Sequence, residues 1–139
     1  MDVLDFIFGQ IKHVNGYSSS QLKAYPAEDC VSMAFIFENG VQGTGIWNFG
    51  SYNKYDNVVI VGDRGKLSFS TFGNNPIIIE TGQGTQEFMY TNPSTIEQYL
   101  INDVVQELIG TGNSPSTGLT AARTSWVMMD QVLKQRINF

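Results

Sequence analysis

His13 and Cys30 are the only histidine and the only cysteine in the chain, and they stand far apart in the sequence. A metal site needs several His, Cys or carboxylate ligands to converge, and a Cys–His nucleophilic pair needs a third group to orient the base. Neither pattern is present, so no catalytic residue and no metal ligand is assigned, and Cys30 reads as a structural cysteine on a strand. Two acid pairs, Asp2 with Asp5 and Glu28 with Asp29, have the chemistry for proton transfer. Adjacent acids in a turn are ordinarily solvated, and Asp5 is expected on the exposed face of a first helix. The glycine groups Gly43-Thr44-Gly45 and Gly82-Gln83-Gly84 invite a dinucleotide reading. That reading requires a helix to open directly after the glycines and receive the pyrophosphate, so both groups are expected to be structural and no cofactor-binding residue is assigned. Trp47-Asn48-Phe49 and Tyr52-Asn53-Lys54-Tyr55 form the densest collection of aromatic and amide groups. Stacking faces and amides at a strand end can line a pocket for a sugar or polyol, and they can equally be core and loop residues. Trp47 and Asn48 are therefore candidate substrate-binding residues.

The elements that would hold these groups follow from periodicity. Val3, Leu4, Phe6, Ile7 and Phe8 have helical spacing before Gly9, which predicts a short helix over residues 2–10. Its start lacks a capping residue, save for Asp2. Residues 11–22 predict a strand carrying His13, Val14 and Tyr17. Alternation through Val31, Met33, Phe35 and Phe37, followed by Asn39-Gly40 and a returning run at 41–49, predicts a β-hairpin with a type I′ turn. Strand-like runs at 57–61, 66–71, 76–81 and 86–90 are joined by short polar segments, the mark of an antiparallel meander. After Pro93 the stripe Ile96, Leu100, Val104 and Leu108 predicts a helix ending at Gly110. Ser94-x-x-Glu97 and Thr95-x-x-Gln98 each match a capping box at its start. A last helix over 119–137 is expected to bury Ala122, Trp126, Met129 and Leu133.

One helix, a run of strands and two helices define an α+β fold, an open, mainly antiparallel β-sheet with helices packed on one face. At 139 residues a single domain spanning 1–139 is expected. The other sheet face is left for a missing domain or a second copy of the chain, hence a homo-oligomer, unless it is simply solvated. Hydrophobic residues at 42% against thinly spread charge at 15% exclude a disordered tail. The net charge of −5, with no basic window, excludes nucleic acid as a partner. No signal peptide is evident, and no apolar run reaches the ~18–20 residues that span a bilayer. A lone cysteine makes no internal disulfide, so a reducing, cytoplasmic compartment is expected.

Several segments carry a resemblance: Asp2-Val-Leu-Asp-Phe-Ile-Phe-Gly9, Ala27-Glu-Asp-Cys30, Phe37-Glu-Asn-Gly40 with Gly43-Thr-Gly45, and Ile60-Val-Gly-Asp-Arg-Gly65 with Leu67-Ser-Phe69. Pro115-Ser-Thr-Gly118, Ala122-Arg123 and Met129-Asp130 complete the series. In order and spacing, and from end to end, they resemble the C-terminal domain of the glucose–fructose oxidoreductase/inositol dehydrogenase/rhizopine catabolism (Gfo/Idh/MocA) family. The resemblance implies an N-terminal Rossmann domain that binds NAD or NADP, and a C-terminal domain whose large, mainly antiparallel sheet shapes the substrate pocket and supports assembly. It also implies a catalytic lysine in the Rossmann domain and an Asp-x-x-x-His-x-x-Asp segment entering this one. Asp2 matches the last Asp of that segment, so the histidine would fall three residues before it, ahead of Met1. On this footing Asp2 hydrogen-bonds the substrate or supports the histidine; otherwise it is an acid favoured by the helix dipole. The complete enzyme would move a hydride between the nicotinamide and a secondary alcohol of a sugar, polyol or similar small molecule. This chain would supply pocket walls, without catalysis and without a cofactor of its own. The alternative is a free-standing homodimeric module that binds a small molecule or supports assembly. An independent hydrolase is disfavoured, because no nucleophile, base and orienter can be named together.

Overall fold

The computed structural model describes residues 1–95, 97–114 and 118–137. Ile96, Pro115, Ser116, Thr117 and the side chain of Met129 lie outside the described set. The elements are α1 (Asp2–Phe8), β1 (Ile11–Ser19), β2 (Cys30–Phe37), β3 (Gln42–Asn48), β4 (Val58–Val61), β5 (Gly65–Phe69), β6 (Ile77–Thr81), β7 (Gly84–Phe88), α2 (Gln98–Leu108) and α3 (Gly118–Gln131), followed by a 3-10 turn at Leu133–Gln135. The class is α+β with open antiparallel sheets, as expected. The strands divide into two sheets, β1-β2-β3 and β4-β5-β6-β7. The connection from β3 to β4 is a long polar segment rather than a tight turn, so it does not carry the ladder of the first sheet into the second. The chain correspondingly forms two compact units, Met1–Tyr52 with Gln106–Phe139, and Asn53–Val105.

In the first unit, Met33, Phe35 and Phe37 alternate onto one face of β2 and are buried with Ile11 and Val132. Bulk in this middle strand is matched by glycine on both sides: Met33 pairs with Gly16 and Gly45, and Phe35 pairs with Gly43. A Cβ at Gly43 would stand 2.4 Å from the Phe35 ring, and one at Gly45 would stand 2.4 Å from the Trp47 ring. The Gly43-Thr44-Gly45 spacing thus lets two aromatic rings lie flat over β3. Phe8 of α1 completes the cluster, its ring 5.1 Å from that of Phe37 and tilted, while Phe35 meets Phe37 edge-on at 5.6 Å. α3 and the 3-10 turn pack against β1.

The β2–β3 turn differs from the expected type I′. Phe37 N–H donates to Val41 O and Gly40 N–H to Phe37 O, both at 2.9 Å. Only Gly40 of the turn has positive φ, at 86°. This is a three-residue loop, a type I turn closed by a left-handed glycine. Asn39 favours it because its side chain is engaged on both sides: Nδ2 donates to Phe8 O, and Oδ1 accepts from Val41 N–H.

Two helix details also depart from the periodic reading. Glu97 has a φ of 69°, so it cannot be the third helical residue that the first capping box requires, and α2 begins at Gln98. Among the described side chains of α3, Thr124 is 5% exposed and Arg123 is turned toward Asp5 of α1, whereas Ala122 is exposed and Trp126 is 68% exposed; beyond its end Val132 is buried and Leu133 half-buried. In the second unit, register places Val58, Ile60, Leu67, Phe69, Ile77 and Ile79 on one face of the meander. The opposite face carries the cross-strand ion pair Lys66–Glu80.

Candidate functional site

α1 is too short to be stable by itself, since isolated helices below ~12–15 residues are marginal. Its first residue, Asp2, is exposed, and Met1 supplies no side-chain cap. One turn later Asp5 is 8% exposed, and both its oxygens accept hydrogen bonds from Arg123 Nη2, at 3.1 and 3.0 Å. Asp5 is therefore not on the solvent face expected from sequence. α1 lies against α3, and the buried carboxylate is tolerated because a guanidinium neutralises it. At the other end of α1, Gly9 N–H donates to Asp5 O, the Phe8 carbonyl is held by Asn39, and the Phe8 ring is held by Phe37. A signal for the pair does exist in the sequence. Arg123 is the only Lys or Arg between Lys66 and Lys134, and no acid lies three or four residues from it, so its partner has to come from another element.

Trp47 and Asn48, adjacent on β3, point to opposite faces. Trp47 is half-buried and packs against the core cluster. Asn48 is exposed at the strand end, where its Oδ1 accepts from Gly50 N–H at 2.9 Å and its carbonyl accepts from the Ser51 hydroxyl at 3.2 Å. Among the described residues, no hydrogen bond or ion pair joins Asp2 to either of them.

The strand end carrying Asn48 is organised by Asp29, which was expected to be solvated but is 3% exposed. Its two oxygens accept from Gln21 N–H and Leu22 N–H at 2.8 Å each, its own N–H donates to Ser19 O, and its carbonyl accepts from Phe49 N–H. These bonds close the loop between β1 and β2, which otherwise leaves amides without partners, and that is why the acid turns inward. The Gln21 amide is the main reason the Asp29 carboxyl lies below its ordinary range. Burial opposes this, while the Leu22 amide, its own amide and the charge of Arg136 add to it. A Cβ at Gly50 would lie 3.0 Å from Leu22 Cγ, so the loop rests on the segment after β3. Leu22, Tyr25, Phe49 and Tyr52 are left exposed there.

The face of the first sheet turned away from the core carries His13, Asn15, Ala34, Ile36, Gln42 and Thr44 around a shallow trough of about 460 Å³. Ala34 is its floor, between Asn15 and Thr44 in register. His13 is exposed there and Cys30 is half-buried at the start of β2, on different register positions. Among the described residues, no three His, Cys, Asp or Glu side chains converge on a point. Gly43 and Gly45 lie within β3, and Gly82 and Gln83 turn β6 into β7, so neither glycine group opens a helix and these residues do not fit a dinucleotide pyrophosphate. No described helix is long and apolar enough to cross a membrane. The arrangement can offer a carboxylate on a tethered helix and polar sheet and loop surfaces to a ligand; it assembles no nucleophile with a base.

Residues 1–68 match the GFO/IDH/MocA C-terminal domain, in agreement with the family resemblance carried by the motifs within that stretch. Over 128 residues the chain is 27% identical to Oxidoreductase P35 of Formosa agariphila, covering 92% of this chain and 39% of that protein. Its fold is that of an oxidoreductase from Agrobacterium radiobacter in complex with NAD+, L-tartaric acid and magnesium, with a TM-score of 0.77 at 11% identity, covering 96% of this chain and 43% of the other. It is likewise that of the WlbA dehydrogenase from Bordetella pertussis in complex with NADH and UDP-GlcNAcA, with a TM-score of 0.71 at 18% identity, covering 96% and 39%. The chain thus spans about two fifths of the length of these relatives.

Proposed function

We propose that residues 1–139 act as the substrate-side and assembly domain of an NAD(P)-dependent oxidoreductase working on a sugar, polyol or similar secondary alcohol. The observation that carries this reading is the coverage: nearly the whole chain aligns with oxidoreductases while accounting for about two fifths of each. The remainder of such a protein would supply the Rossmann domain, the nicotinamide site and the catalytic lysine. On this reading the chain supplies pocket walls and the hydride transfer needs that remainder.

Asp2 is the substrate-facing carboxylate of this reading, exposed on a helix whose other end is locked into the core. Asn48, with the exposed aromatic residues beside it, offers amide and stacking contacts to a polyhydroxylated ligand, and Trp47 backs that strand end from the core side. The outward face of the first sheet, with His13, Asn15, Gln42 and Thr44 and no Asp, Glu, Lys or Arg among the trough's lining, suits contact with a second copy of a chain whose net charge is −5. Assembly and a cytoplasmic setting belong to the same proposal.

The test is to read the genomic frame upstream of the Met1 codon. An open frame that encodes a strand, a glycine-rich turn and, three residues before Asp2, a histidine supports the proposal. A stop codon and ribosome-binding site directly before Met1 would overturn it in favour of a free-standing binding or assembly module. Titration of NADH into the chain is expected to give no saturable signal.

A further inference from the structure

We infer that Arg123 is a positioning residue, which through Asp5 fixes the orientation of α1 and so the place from which Asp2 meets its ligand. The inference deepens the proposed function and rests on its reading of Asp2 as substrate-facing. α1 has seven residues, no N-terminal side-chain cap and no basic residue in its last turn, so neither its length nor its ends hold it in place. Its attachments are of two kinds: apolar packing of Met1, Leu4 and Phe8 against the core cluster, and polar contacts at the Phe8 carbonyl and at Asp5. Near the C-terminal end, the Phe8 ring rests on Phe37 and the Phe8 carbonyl accepts from Asn39. Apolar packing of this kind, with that of Met1 and Leu4, is non-directional, and one hydrogen bond at the C-terminal end does not fix the rotation of the helix about its own axis. In the middle, Asp5 is tied to Arg123 on α3, and this is the ion pair that joins α1 to the body of the unit.

Asp2 is one helical turn before Asp5, so a rotation of α1 permitted by loss of the tether moves Asp2 with it. The pair is specific in its chemistry. Asp5 is 8% exposed and its two oxygens share a single guanidinium nitrogen, while Arg123 Nε is buried without a hydrogen-bond partner. Among the described residues, Asp5 is the hydrogen-bonding and ion-pairing partner of Arg123. Removing Arg123 leaves a buried carboxylate without that partner, which favours a rotation of α1 that returns it to solvent.

The experiment is amide hydrogen exchange on the 139-residue chain, comparing Arg123→Met, Arg123→Lys and the charge swap Asp5→Arg with Arg123→Asp. In Arg123→Met, protection of the α1 amides from Asp5 to Gly9 is expected to fall by at least about tenfold, with amides of Phe35 and Phe37 in β2 changing less than about threefold. Arg123→Lys, which keeps the charge but offers one compact contact, is expected to fall between the two, and the charge swap to recover most of the α1 protection. Equal loss in α1 and β2 would mean that Arg123 serves overall stability, and would overturn the inference; so would unchanged α1 protection in Arg123→Met. If Arg123→Met does not fold, the same comparison in Arg123→Lys decides. Asp2→Ala leaves the tether intact and is expected to leave α1 protection unchanged. In the full-length protein, a sugar or polyol that binds the parent and Asp2→Ala with equal affinity would therefore refute the Asp2 reading while leaving the tether standing.

Discussion

Phe37 is the residue on which the first unit depends most. It is 1% exposed, and it joins α1 to the sheet through Phe8 and to its own strand through Phe35. Phe37→Ala removes a fully buried ring and both ring contacts, and for such truncations the loss is about 3–5 kcal/mol, the spread depending on how far the site collapses. Collapse is limited here: Phe35 is already seated over Gly43, and Ile11, the cross-strand partner of Phe37, is itself buried in the same cluster. The upper half of that range is expected, about 4 kcal/mol. That is a large fraction of the ~5–15 kcal/mol that holds a domain together. The described hydrophobic core of the unit is small, with Ile11, Met33, Phe35 and Val132 as its other buried members. The assay is urea unfolding followed by tryptophan fluorescence in a Trp126→Phe background, because Trp126 is 68% exposed while Trp47 packs against the core and reports on it. With a slope near 2 kcal/mol per molar urea, the midpoint is expected to fall by about 2 M. Phe72→Ala, at a position 88% exposed, is the control and is expected to stay within about 0.5 kcal/mol of the parent. A Phe37→Ala loss below about 1 kcal/mol at unchanged slope would refute the placement of Phe37 at the centre of the core.

Other perturbations test other parts of the architecture. Gly16→Ala would put a Cβ 2.3 Å from the Ser32 carbonyl oxygen and 2.8 Å from Met33 Cβ, so the β1–β2 ladder has to give; a loss of about 1–3 kcal/mol is expected in the same urea assay. Asp29→Asn can satisfy only one of the Gln21 and Leu22 amides and is expected to lower stability at neutral pH. Because the folded Asp29 pKa is depressed, its contribution is present above the unfolded value near 3.9 and is lost as pH falls through the lower folded value. The difference between parent and Asp29→Asn should accordingly shrink below about pH 4, and a difference constant from pH 7 to pH 3 would contradict the role given to this carboxylate. Gly40→Ala, at a φ of 86°, is expected to lower stability by about 1–2 kcal/mol through the left-handed backbone alone, and circular dichroism melts would show whether it does.

Secondary structure was legible in the chain wherever it depends on neighbours in sequence. Met33, Phe35 and Phe37 alternate because one face of a strand is buried, and that period of two survives in any surroundings. The short polar links after β4, β5 and β6 leave room for little but hairpins, and a meander is what they make. Motif order carried the family likeness for the same reason, since it is a property of the chain before folding. The turn at Asn39-Gly40 was legible as a turn but not as its type, because the choice was made by Asn39 bonding to Phe8, a residue of another element.

What only the tertiary structure decided concerns charge and facing. The sequence alone determined an α+β chain of mainly antiparallel strands. It could not determine that Asp5 and Asp29 turn inward, because an acid is buried only where a donor waits for it. One of those donors, Arg123, stands 118 residues from Asp5, and the others are the amides of a loop whose path exists only once β1 and β2 have paired. The exposure of Trp126, the burial of Thr124 and the division of the strands into two sheets have the same origin: periodicity states that a face will be covered, and packing chooses which one.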